Sequence, residues 1–98
     1  MPIKIYLSGP ISGHDKRLTE IRFNKAKEHF ADTRFEPVSP LENGLPTSAT
    51  YEEHMLRDIE LLDGCQAIYM MNGWKKSNGC QIEFQHAIIH KKTIMFEQ

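Results

Sequence analysis

The chain alternates between short apolar runs and longer segments in which apolar residues recur every three or four positions. The apolar runs predict four strands, at Ile3–Ser8, Phe35–Ser39, Ala67–Met71 and Thr93–Phe96. The periodic segments predict helices over about 15–30, 51–62 and 78–91. Strands that alternate with helices are typical of a parallel sheet. We therefore predict one α/β domain over residues 1–98, with sheet order 2-1-3-4 and helices on both faces, as in flavodoxin-like and Rossmann-like folds.

The first predicted helix has one apolar stripe that should face the sheet. Its members share helical spacing: Thr19, Phe23, Ala26 and Phe30. Leu18 and Ile21 fall outside this stripe, so they are either isolated exposed apolar residues or a patch that faces a partner. Segment 40–49 has no periodicity, and it is either a lid or contact loop or a disordered connection. The second helix should begin after Thr50, which forms a capping-box signature with Glu53.

Two acidic residues lie on predicted apolar helix stripes. Asp58 is three residues after Met55 in the second helix, and Glu83 is three residues after Cys80 in the third, whose stripe also includes Phe84, Ala87 and Ile88. Burial of an ionised carboxylate is costly, so acids normally avoid such faces. Each acid alone fits a solvated helix edge, with Asp58 paired to His54 or Arg57. Together, near loops at one sheet edge, they favour a functional site.

That edge is where open α/β sheets bind ligands, at the carboxyl ends of the strands. The loops there are Gly9–Gly13, which includes Ser12 and whose glycines allow a ligand close to the backbone, and Asn72–Ser77. Ser77, with the free backbone N–H groups through Gly79, is either an anion site or an ordinary helix cap.

Two aromatic residues near this edge have open interpretations. Trp74 either stacks on a planar ring of a ligand or covers the edge of the sheet. Tyr6 is either a core tyrosine or a hydrogen-bond donor to a carboxylate in the site.

Composition excludes several classes of protein. Twelve basic and thirteen acidic residues give a net charge of −1, which argues against a binder of polymeric nucleic acid or anionic membranes. No apolar run approaches a membrane span, and the N-terminus lacks a signal-peptide profile. Cys65 and Cys80 do not form a disulfide framework, so we expect a cytoplasmic protein. So small a core also favours self-association into a homo-oligomer.

Metal and dinucleotide chemistry are not predicted. Glu83, His86 and His90 include an ExxH spacing, but the partner ExxH helices of a carboxylate-bridged metal site are missing. The GxGxxG fingerprint of dinucleotide-binding proteins is also absent. We therefore predict no metal and no cofactor.

Three segments together resemble the nucleoside 2-deoxyribosyltransferase superfamily. They are Ile5–Pro10, Arg57–Leu62, and Ser77–Gly79 leading to Glu83. The spacing is closest to the 2′-deoxynucleoside 5′-phosphate N-hydrolase branch. The GW-x-x-S-x-G segment at Gly73–Gly79 is also similar to that of a family of small bacterial and phage proteins.

The resemblance implies a role for each matching residue. Glu83 matches the nucleophilic glutamate that attacks the anomeric carbon of deoxyribose, and Asp58 matches the aspartate that assists departure of the base and sugar binding. Tyr6 matches the tyrosine beside that glutamate. The remaining matches are ligand-loop residues: Gly9 and Ser12 in the first loop, and Ser77 and Gly79 in the phosphate-binding loop.

The expected activity is therefore cleavage or transfer of the N-glycosidic bond of a deoxynucleoside or its 5′-monophosphate. A nucleobase leaves an oxocarbenium-like sugar, which a close carboxylate can trap covalently. The expected partner is this small molecule. The alternative is a non-catalytic nucleotide-binding or regulatory module on the same fold.

Overall fold

The computed structural model describes residues 2–98 and contains the predicted four-stranded parallel sheet. The strands are β1 (Ile3–Ser8), β2 (Phe35–Val38), β3 (Ala67–Met70) and β4 (Thr93–Phe96). The helices are α1 (Lys16–His29), α2 (Tyr51–Asp63) and α3 (Asn78–Ile89), with 3₁₀ turns at Pro40–Glu42 and Trp74–Lys76. The sheet order is β2-β1-β3-β4, all parallel, so the predicted topology is confirmed.

Successive strand residues point to opposite faces of the sheet and so divide the core in two. On one face, strand residues that include Ile5 and Tyr69 pack against the predicted α1 stripe around Phe23. On the other face, Tyr6 and Ile68 belong to a cluster with residues of α2 and α3. Helices therefore cover both faces, and Tyr6 points toward the two helices that carry the acids.

Short polar side chains fix where each helix begins. The Asp15 carboxylate accepts a hydrogen bond from the backbone N–H of Leu18 at 2.9 Å. Thr50 and Glu53 form the predicted capping box at the start of α2. These contacts satisfy backbone donors that have no partner within the helix.

Two details differ from the sequence pattern. The buried residues of α3 are Cys80, Glu83 and Ala87, which all lie on the predicted stripe, but Ile88 is 51% exposed and was wrongly included in it. Segment 40–49, which has no sequence periodicity, includes the Pro40–Glu42 turn, and its Asn43 is only 4% exposed.

The off-stripe residues of α1 are exposed, Leu18 at 59% and Ile21 at 43%. Within residues 2–98, no helix has the length and apolar character needed to cross a bilayer.

Candidate active site

The two predicted ligand loops meet at the carboxyl ends of β1 and β3. The backbone N–H of Met71 donates to the Ser8 carbonyl at 2.8 Å. A Cβ added at Gly9 would lie 2.8 Å from the Met71 sulfur, and one at Gly73 would lie 3.1 Å from Pro10 Cγ. Gly73 also has a φ of +92°, which favours glycine. Both glycines therefore let the loops pack closely against each other.

Glu83 lies beneath this edge, on the buried side of α3. Its side chain is held by two hydroxyl donors from β1: Tyr6 Oη donates to Oε2 and Ser8 Oγ donates to Oε1, each at 2.7 Å. Tyr6 and Ser8 are fully buried and Glu83 is 5% exposed. Tyr6 is thus both a core residue and a carboxylate donor, whereas Ser8 was not predicted to contribute to the site.

Burial raises the pKa of the Glu83 carboxyl from 4.5 to about 7. Hydrogen bonds from Tyr6 and Ser8 stabilise the ionised form and oppose this rise, while the charge of Asp58 adds to it. At neutral pH both the protonated and the ionised forms of Glu83 are therefore well populated.

Asp58 lies on the inward side of α2 and is 6% exposed. The Asn43 side-chain amide donates to Asp58 Oδ1 at 3.0 Å. The pKa of Asp58 is raised chiefly by burial, against the lowering effects of the Asn43 hydrogen bond and of the His54 and Arg57 charges. The solvated-edge interpretation is therefore wrong for Asp58, and its hydrogen-bond partner is a loop residue.

Asn43 connects the 40–49 segment to α2 through its side-chain amide and its backbone carbonyl. Its amide nitrogen also lies 3.0 Å from His54 Nδ1, and its backbone carbonyl accepts from Arg57 Nε at 3.0 Å. Its side-chain oxygen accepts from the backbone N–H of Leu45 at 3.0 Å. Asn43 was not identified from the sequence, because it lies in a segment without periodicity.

The structure brings Asp58, Glu83 and Tyr6 into one cluster. The charge of Asp58 raises the pKa of Glu83, and burial, followed by the charges of both acids, raises the pKa of Tyr6 well above its ordinary value. Such electrostatic effects are stronger within a poorly solvated region than in water. The catalytic roles of these three residues stay predictions.

Tyr51 is a further residue at the rim of this cluster. It is 43% exposed, and its pKa is raised by burial and then by the charge of Glu83. A Cβ at Gly79 would lie 3.4 Å from Tyr51 Oη and 3.2 Å from the Met55 sulfur. Gly79 therefore allows the start of α3 to approach α2 closely.

The other predicted ligand residues lie around the same edge. Ser77 caps α3 by accepting from the backbone N–H of Cys80 at 3.3 Å, while Ser12 and Gly13 are exposed in the turn after β1. The Trp74 ring packs on Phe84 and Phe96, with centroids 4.6 and 5.9 Å away. Trp74 thus contacts α3 and the edge strand β4, in line with its edge-covering interpretation.

The acids are nearly closed off from solvent in this conformation. A hollow of about 280 Å³ lies between α1 and the Pro40–Glu42 turn, and one of about 430 Å³ lies on the outer side of α2 and α3. Neither is lined by Asp58 or Glu83.

Fold and site together define a parallel α/β protein with two buried acids at the carboxyl edge of its sheet. Residues 3–96 match the family described as "Domain of unknown function (DUF4406)", and the chain belongs to this family. No curated protein matches significantly.

The fold is similar to that of a solved structure, the 2-desoxiribosyltransferase from Leishmania mexicana. The TM-score is 0.75 with 19% sequence identity, and the match covers 97% of this chain. This chain spans 63% of the length of that protein. The comparison establishes a shared deoxyribosyltransferase-like fold.

Proposed function

We propose that this protein cleaves or transfers the N-glycosidic bond of a deoxynucleoside or deoxynucleoside 5′-monophosphate, with Glu83 as the nucleophile. The observation that carries the proposal is the buried Glu83 carboxyl, held by two hydroxyl donors at 2.7 Å with Asp58 close enough to raise its pKa. The fold shared with a protein named as a 2-desoxiribosyltransferase supports the same chemistry.

The first step forms a covalent bond between Glu83 and the sugar. An ionised carboxylate oxygen attacks the anomeric carbon while the bond from that carbon to the base nitrogen breaks, and the base leaves with the bonding electrons. The hydroxyls of Tyr6 and Ser8 hold the carboxylate in one orientation, which reduces the freedom lost at the transition state.

In this mechanism Asp58 donates a proton to the departing base. Burial raises its pKa, which increases the population of the protonated form that can donate to a base nitrogen. Attack requires the form in which Glu83 is ionised and Asp58 is protonated. This form is the less populated one, because the charge of ionised Asp58 raises the pKa of Glu83.

The second step releases the sugar from Glu83. Attack by water on the anomeric carbon completes hydrolysis, and attack by a second base completes transfer. In both cases the bond between the sugar and Glu83 breaks, its electrons return to the carboxylate, and the proton of the attacking group goes to Asp58.

The start of α3 is suited to a 5′-phosphate. The Ser77 hydroxyl oxygen accepts the cap hydrogen bond from the backbone N–H of Cys80, and its O–H is the group that would donate to a phosphate oxygen. The positive end of the helix dipole favours the same group. The Gly9–Gly13 loop, which includes Ser12, follows β1 at the same sheet edge, and we assign it to ligand binding.

The test is release of free base from a panel of deoxynucleosides and their 5′-monophosphates, followed by chromatography. Glu83→Gln should lower the rate by about 10³-fold or more, as expected for loss of a nucleophile. Glu60→Gln removes an exposed carboxylate from α2 and should leave the rate unchanged.

Nucleotide binding by calorimetry separates the remaining outcomes. Wild-type protein that binds a nucleotide but releases no base would overturn the catalytic proposal and favour a non-catalytic binding module. Base release that survives Glu83→Gln would overturn the assignment of the nucleophile.

A further inference from the structure

Three metal-ligating side chains come together away from the acid pair. Asp63 Oδ1 lies 2.6 Å from His86 Nε2, and the rings of His86 and His90 are 4.2 Å apart between centroids. One potential ligand atom from each residue lies within 4.8 Å of those from the other two. This cluster has no part in the glycosidic mechanism.

Helix geometry explains how the cluster forms. His86 and His90 are four residues apart, at the end of α3, and so project from the same side. Asp63 is the last residue of α2, the neighbouring helix. The ExxH spacing had instead suggested Glu83 as the carboxylate, but Glu83 turns inward to Tyr6 and Ser8.

We propose that Asp63, His86 and His90 bind one divalent transition-metal ion of the Zn²⁺ type. Imidazole nitrogens suit Zn²⁺, Ni²⁺ and Cu²⁺, and a carboxylate oxygen completes a three-residue set such as Zn²⁺ accepts. The fourth position of a tetrahedral ion stays open to water, because the cluster faces solvent.

Only small movements are needed to seat the ion. Ligand atoms about 2.0–2.2 Å from a tetrahedral centre lie roughly 3.3 Å from one another. The 2.6 Å separation of Asp63 and His86 must therefore open slightly, and wider separations must close. The side chains of Asp63 and His86 are 54% and 22% exposed, so both have room to adjust.

Lys92 is the cation held near this cluster. Its ammonium donates to the backbone carbonyls of Asp63 and Cys65, at 3.0 and 2.7 Å, rather than to the Asp63 carboxylate. The carboxylate is thus left to the histidines or to a metal. A bound ion would link the end of α2 to the end of α3, the two helices that carry Asp58 and Glu83.

The test is titration of chelator-treated protein with Zn²⁺ by calorimetry, and with Co²⁺ by visible absorption. We expect one ion per chain, a tetrahedral Co²⁺ spectrum that Zn²⁺ abolishes, and no competition from Mg²⁺, which prefers oxygen ligands. Zn²⁺ should also raise the melting temperature, because it binds the folded chain.

Single substitutions test which side chains bind the ion. His90→Gln and His86→Gln should each weaken Zn²⁺ binding by about tenfold or more, since even outer partners of metal sites contribute about that much. His14→Gln, at an exposed histidine elsewhere, is the matched control and should not change the affinity. Far-UV circular dichroism verifies that each variant is folded.

The proposal is overturned if wild-type protein takes up no stoichiometric Zn²⁺. It is also overturned if both cluster variants bind as tightly as wild type, or if His14→Gln loses as much affinity as they do. None of these outcomes bears on base release, so this proposal and the glycosidic one fail independently.

Discussion

Replacement of Glu83 by glutamine should stabilise the folded protein at high pH relative to low pH. Glutamine has the same shape, and the hydroxyls of Tyr6 and Ser8 can still hydrogen-bond to its amide. What the substitution removes is the buried negative charge. The effect therefore reports the electrostatic environment of position 83 without any assumption about substrate.

The direction of this change in stability follows from the pKa of Glu83 in the unfolded and in the folded chain. Below the unfolded value of 4.5, Glu83 is protonated in both states and contributes no penalty. As the pH rises from 4.5 to about 7, the unfolded chain ionises while the folded chain keeps the proton, so wild-type stability falls. Above about 7 both states are ionised and the penalty is constant.

The size of this change in unfolding free energy follows from the same shift in the pKa of Glu83. A rise from 4.5 to about 7 corresponds to about 3 kcal/mol of unfolding free energy, at about 1.4 kcal/mol per pKa unit. The difference in unfolding free energy, Glu83→Gln minus wild type, should therefore increase by about this amount between about pH 4 and pH 8.

Urea denaturation of both proteins across this range measures that difference. Glu60→Gln is the matched control, because the carboxylate it removes from α2 is exposed. A difference for Glu83→Gln that does not change with pH would refute the reasoning. An increase of equal size for Glu60→Gln would refute it as well.

Three further substitutions test separate parts of the site. Tyr6→Phe removes a donor that lowers the pKa of the nucleophilic carboxylate, so the rise of base release with pH should move to higher pH; an unmoved midpoint would contradict this role. Asn43→Ala removes the amide bound to Asp58 and should cost about 1–3 kcal/mol of unfolding free energy in urea denaturation, whereas a loss below about 0.5 kcal/mol would show that the contact does not hold the loop. Gly9→Ala places a Cβ 2.8 Å from the Met71 sulfur and should cost about 1–3 kcal/mol in the same assay, and less in a Met71→Ala background; equal costs in both backgrounds would exclude this clash.

The fold was predictable because local patterns report which side of each element is buried. The four apolar runs and three periodic segments correspond to the observed strands and helices. Alternation of strands with helices then left few topologies, and the order 2-1-3-4 was among them.

The face of α3 was less well predicted for a physical reason. Its inward position at residue 83 is a carboxylate, so apolar spacing alone extends the stripe to Phe84 and Ile88. An acid at an inward position thus distorts the pattern that locates the core. Ile88 is in fact 51% exposed, and Phe84 lies toward the edge of the sheet against Trp74.

The contacts of the acids were only partly predictable. Ser8 is two residues after Tyr6 in β1, so strand alternation places both on the face of Glu83, and this signal was available. Asn43 reaches Asp58 from a loop fifteen residues earlier in the chain. Such a contact depends on how the loop folds over α2, which periodicity does not report.

The burial of Glu83 agrees better with the proposed catalytic role than with ligand binding alone. A neutral hydrogen-bonding side chain such as glutamine would bind a sugar hydroxyl at position 83 without the cost of burying a charge. Glu83 instead carries a penalty of about 3 kcal/mol above neutral pH, a large share of the roughly 5–15 kcal/mol stability typical of a domain. A carboxyl with a pKa of about 7 is partly ionised at neutral pH, and its negative charge is poorly solvated and therefore reactive toward a cationic sugar centre. Glutamine has no such charge, so the cost of burying a carboxyl at this position is what the proposed nucleophilic role predicts.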